Sequence, residues 1–159
     1  MRRLPLLFLP LIAACATAGD EAPAVAARAA EPSAAELIAA RQAMKHMAAT
    51  LLFQELMPVA KNGGDTKPAG HAADGLDLFG HSIAGLFPEG STGPDSRALP
   101  SIWANKADFA AKANAFGDAA ARLKQLADAG DTAGFAAQAK VVQQGCGACH
   151  SLYRAEDAH

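Results

Sequence analysis

Two cysteines and a histidine near the C-terminus, in the run Cys146-Gly147-Ala148-Cys149-His150, carry the densest chemistry of the sequence. Thiols three positions apart lie on one side of a helical turn, where each can add to one vinyl group of a haem. Cys-x-x-Cys-His is the attachment signature of a c-type haem. His150 can then turn its imidazole toward the iron as the proximal axial ligand. Other uses of the pair fit less well. A redox dithiol is expected beside a βαβ pattern, and the sequence has none. A structural zinc site needs two further close ligands, whereas the remaining cysteine, Cys15, lies far upstream.

Only nine residues follow His150, so the protein around a haem must come from upstream. The chain has 159 residues, 51% of them hydrophobic, with a formal net charge of −2. That is about one domain's worth, enough to build a core without disulfide staples. The charge balance offers no footprint for nucleic acid. Alanine is abundant and β-branched residues are scarce, which favours an all-α fold.

Residues 1–18 read as an export signal: Arg2 and Arg3 form the basic start, and Leu4 to Ala14 an apolar stretch too short to span a membrane. Two cleavage sites fit. Ile12-Ala13-Ala14-Cys15 resembles a lipobox, which would lipidate Cys15 and anchor the chain, while Ala16-Thr17-Ala18 suits ordinary signal peptidase, which would remove it. Either predicts a periplasmic protein. Residues 19–32, rich in Ala, Glu and Pro, read as a flexible linker, leaving 33–159 as the folded domain.

Four helical spans follow. The first begins at Ser33, with Glu36 completing a capping box, and is expected to run to about Met57, before Pro58. A second spans roughly Ala72 to Phe87, after a Gly-, Asn- and Pro-containing break. The third runs from about Ser101 to Ala129. Phe109, Phe116 and Leu123 recur every seven residues on it, each followed four residues later by Ala113, Ala120 or Ala127, a seam of large and small side chains. Gly130 ends this span, and Asp131 caps the fourth, which carries Phe135, Ala139, Val142 and the haem motif. Short connection between the last two predicts an antiparallel four-helix bundle with haem c near the C-terminus.

With the motif on the last of four helices, the chain resembles the cytochrome c′ family over roughly residues 33–155. Leu99-Pro100-Ser101-Ile102-Trp103, with Asp108-Phe109 and Ala115-Phe116, is similar to the segment that opens the family's third helix. Leu86 to Ser91 resembles the loop before it, and Tyr153-Arg154 after the motif matches the terminal signature. Arg41-Gln42-Ala43-Met44-Lys45 is similar to the first-helix segment lying over the haem. The resemblance implies one covalent haem, His150 on its proximal side, and an apolar first-helix residue over its distal side. It further implies five-coordinate iron that admits nitric oxide and carbon monoxide, and a periplasmic homodimer. A sister group binds iron through a first-helix methionine and carries electrons.

Met44 is the first-helix candidate for the distal face, with Arg41 beside it. Its bland reading is ordinary core filling, as for Met47 and Met57. Arg154, one turn beyond His150, either pairs with a haem propionate or serves as a favourable charge at a helix C-terminus. His46, His71 and His81 could ligate iron by chemistry, but read as solvated or hydrogen-bonded histidines. Trp103 reads as a packing anchor. No distal histidine and arginine pair is placed by motif, so ligand binding is expected rather than peroxidase catalysis. The alternative expectation is a six-coordinate electron carrier with Met44 on the iron.

Overall fold

A capping box opens the first helix, as its sequence predicts. The Ser33 hydroxyl accepts from the Glu36 amide at 3.3 Å, and the Glu36 carboxylate takes the Ser33 N–H at 2.8 Å. The computed structural model describes residues 31–156, so the leader, Cys15 and most of the linker lie outside the described residues. Helix α1 covers Ala34–Thr50. The first helical span nevertheless does not stop at Met57. A wider π-type turn over Leu51–Leu56 sends the Met57 N–H to the Leu52 carbonyl, and α2 then continues over Met57–Asn62. Pro58 falls in the first turn of α2, where a missing N–H forfeits little. Gly63 ends the span at a positive φ of 75°.

The second span is α3, Gly70–Ser82, entered through a 3-10 turn at Lys67–Ala69 and left through another at Ile83–Leu86. The third is split. A single turn, α4 (Ser101–Ala104), is parted from α5 (Lys106–Ala129) by Asn105, whose backbone leaves helical geometry. Gly130, left-handed at φ 69°, closes α5. Asp131 caps α6 (Thr132–Tyr153) by accepting from the Gly134 N–H at 2.9 Å.

All six members of the predicted seam on α5 are buried. Phe116, Ala120, Leu123 and Ala127 join Leu52, Leu56, Leu76, Phe135 and Val142 in the main core. A smaller cluster of Ile102, Phe109 and Tyr153 lies at the end of the bundle that carries the motif. The first helix departs from expectation at Met47, which is 43% exposed rather than core. The inward stripe of the first span passes through Leu37, Arg41, Met44 and Ala48 on α1 and on to Leu51 in the π turn, and Met47 sits beside it. Helix α1 packs on α3 and on the π turn, and has no more than marginal contact with α6.

Candidate cofactor site

The last two turns of α6 hold Cys146, Cys149 and His150. Cys146 packs against the main core and Cys149 against the smaller cluster, so the thiols stand at the junction of the two. Burial raises both above the ordinary cysteine value, which keeps them as thiols at neutral pH. His150 reaches solvent. Desolvation by the surrounding protein, and then the positive charges of Arg154, Arg97 and Lys45, hold its imidazole below the usual value. The neutral ring that results is the form that ligates metal.

Long-range contacts fix the end of α6. The Leu99 N–H donates to the Tyr153 carbonyl at 3.0 Å, and the Ala155 N–H to the Arg97 carbonyl at 2.9 Å, forming a short antiparallel bridge. The Arg97 guanidinium adds a bond to the Ala155 carbonyl at 3.1 Å. Tyr153 packs edge-on to Phe109, centroids 5.2 Å apart, and donates its hydroxyl to Asp108. That bond, with burial, pushes the phenol up to about 12. Lys112, 2.8 Å from Asp108, and then Tyr153 hold the Asp108 carboxyl below its ordinary value.

Arg41 is satisfied by protein. Its Nε donates to the Leu86 carbonyl at 2.8 Å, Nη1 to the Ser91 carbonyl at 2.7 Å, and Nη2 to the Ser91 hydroxyl. Met44, one turn on, is half-buried. Arg154 is exposed at the C-cap, with its charge felt at both Cys146 and His150. The fold therefore brings Cys146, Cys149, His150 and Arg154 together, and adds Lys45, given no role of its own in the first-helix resemblance, and Arg97, which no motif singled out. Their signal is tertiary: positive charges from α1, from the loop before α4 and from the end of α6 converge on one imidazole.

Among the described residues, the other histidines are engaged elsewhere or exposed. His71 pairs with Glu55 at 2.9 Å, and His81 with Asp77 at 2.8 Å and Asp118 at 3.3 Å. His46 is exposed. Trp103 is the expected anchor, packing on the smaller cluster and donating its indole N–H to the Pro88 carbonyl at 2.9 Å. Among the described residues, no three His, Cys, Asp or Glu side chains converge to hold a bare metal ion. The donor set instead suits a macrocycle: two thiols one turn apart, an imidazole next to them, and cations to meet carboxylates.

The family model described as cytochrome C′ matches residues 36–154. A cytochrome c-554 of Cereibacter sphaeroides is 36% identical over 125 residues, covering 71% of this chain and 91% of that relative. A cytochrome c-556 of Agrobacterium tumefaciens is 46% identical over 69 residues, 43% of this chain and 54% of that one. Among solved structures, ferric cytochrome c prime from Alcaligenes xylosoxidans superposes with a TM-score of 0.71 at 28% identity, covering 79% of this chain and 98% of that chain. A nitric oxide complex of a variant of the same protein gives 0.72 at 27% identity, covering 80% and 99%.

Proposed function

The chain belongs to the cytochrome c′ family, whose members carry covalently attached haem c, and on that premise we propose that it binds nitric oxide and carbon monoxide at a five-coordinate haem iron. One observation carries the reading: two half-buried thiols one turn apart on α6, followed directly by an imidazole held neutral. Cys146 and Cys149 would form the two thioether links, and His150 would supply the proximal ligand. Held there by Cys146, Cys149 and His150, the haem would supply an iron able to take a small ligand.

Lys45, Arg97 and Arg154 gather positive charge where the propionates can be met. Met44 and its apolar neighbours on α1 would cover the distal face, where a small diatomic fits and a polar ligand meets a desolvation cost. Arg41, bonded to the loop after α3, would hold α1 in place over that face rather than meet the haem first. Electron transfer would be a secondary property, and turnover of a substrate is not part of the assignment.

The leader supports export to the periplasm, with Cys15 acylated as a membrane tether under the lipobox reading; no helix among the described residues is long and apolar enough to cross a membrane. Exposed Met47, Phe53 and Leu78 on the first two spans support a homodimer. The second reading, a six-coordinate electron carrier, rests on half-buried Met44 beside Lys45, whose charge reaches His150. An absorption spectrum of the purified ferric protein tests both. High-spin bands that shift with nitric oxide support the first reading. A low-spin spectrum with a methionine-to-iron band, unresponsive to carbon monoxide after reduction, would replace it with the second.

A further inference from the structure

Tyr153 is the chain's single tyrosine and is 5% exposed. Its ring lies in the cluster against which Cys149 packs. Its hydroxyl donates to one oxygen of Asp108, whose other oxygen holds Lys112 at 2.8 Å. Asp108 and Lys112 face water, with side chains 51% and 31% exposed. The phenol thus stands between a sulfur that our reading links to haem and a base open to solvent. We infer that Tyr153 is a redox-active side chain that gives one electron to the haem when hydrogen peroxide oxidises the protein, its phenolic proton passing to Asp108.

The reaction balances over two copies of the chain. One hydrogen peroxide takes two electrons and two protons, its O–O bond breaks, and two waters form. Two Tyr153 side chains each lose one electron through the haem and one proton, and become neutral tyrosyl radicals. Each proton moves along the existing hydrogen bond to Asp108 and from there to solvent, restoring the carboxylate. Without that base, oxidation would leave a cation in an apolar cluster, at high desolvation cost. Asp108 removes the cost. Trp103 touches the same cluster but lacks such a route, because its indole N–H donates to the Pro88 carbonyl, which cannot accept the proton.

The inference rests on haem attachment at Cys149, so the test first records the haem c spectrum and mass of the purified holoprotein. A colourless polypeptide overturns the attachment reading itself. The holoprotein is then mixed with hydrogen peroxide, frozen, and examined by electron paramagnetic resonance, with and without ring-deuterated tyrosine. The expected result is a tyrosyl signal whose splitting collapses on deuteration. Tyr153→Phe should abolish it while leaving the haem spectrum unchanged. Asp108→Asn keeps an acceptor oxygen without a base, and should slow radical formation about tenfold, the rate equivalent of one charge-assisted hydrogen bond. Haem present with no tyrosyl signal, a signal surviving in Tyr153→Phe, or an Asp108→Asn rate equal to wild type would each overturn the inference and leave the attachment reading standing.

Discussion

The Arg41 guanidinium lies 4.0 Å above the ring of Phe87, while the same group donates to the carbonyls of Leu86 and Ser91. One side chain of α1 thus closes four contacts, two to carbonyls, one to a hydroxyl and one to an aromatic ring, on the segment that follows α3. Ser91 is buried and turns its own hydroxyl to the Pro88 carbonyl at 2.7 Å, so the receiving loop is itself ordered. Because α1 has little contact with α6, this latch is a principal tie between the first helix and the motif-bearing end of the bundle.

Replacing Arg41 with lysine keeps the charge but loses the planar fork and the stacking. We expect a stability loss of about 2 kcal/mol, the scale of charged hydrogen bonds combined with a cation–π contact. Urea unfolding measures it. A loss indistinguishable from zero would mean that α1 is held by its apolar stripe alone.

Helices α3 and α5 cross at glycine. A Cβ on Gly80 would stand 2.5 Å from the Gly117 amide nitrogen, which is backbone and cannot swing aside. A Cβ on Gly117 would first meet the ring of His81, the end of a movable side chain. Gly80→Ala should therefore cost about 3 kcal/mol through overpacking, and Gly117→Ala less. Thermal melts of the two variants compare them directly, and the reverse order would contradict the crossing.

His81 spans this crossing, paired with Asp77 on its own helix and Asp118 on α5. A backbone bond to Asp77, followed by the two carboxylates, raises its pKa above 6.5 against partial desolvation. A raised folded value means that its stabilisation is complete below the unfolded pKa and disappears as pH climbs through the folded one. The melting temperature should thus carry a component that falls with rising pH and is absent from His81→Gln. Parallel pH profiles for the two proteins would remove His81 from the account.

Arg154 adds positive charge near His150 and Cys146. Removing a cation beside the iron favours the ferric state, so Arg154→Ala should lower the reduction potential by roughly 40 mV, the one-electron equivalent of about 1 kcal/mol at an exposed site. High salt should shrink the difference. Spectroelectrochemical titration reads both effects, and an unchanged or higher potential would place Arg154 outside the haem's field.

Much of this protein is written in short-range patterns. The capping box at Ser33 and Glu36, the stop at Gly130, the cap at Asp131 and the heptad seam on α5 each involve residues within a few turns of one another. Hydrogen-bonding capacity and apolar spacing settle such features before any tertiary contact forms. The pattern of Cys146, Cys149 and His150 is readable for the same reason, since the proposed attachment depends on separation along a single helix. Continuation of the first span past Pro58 was not legible, because a π turn can place proline in a fresh first turn and no composition marks it. Nor was the break at Asn105. Packing alone decided that Met47 faces out, that Arg41 clasps Ser91, that Lys45 and Arg97 converge with Arg154 on His150, and that Tyr153 meets Asp108. Those pairings join residues from different helices and loops, and their partners are chosen only when the helices are laid against one another and their buried polar groups must find a match.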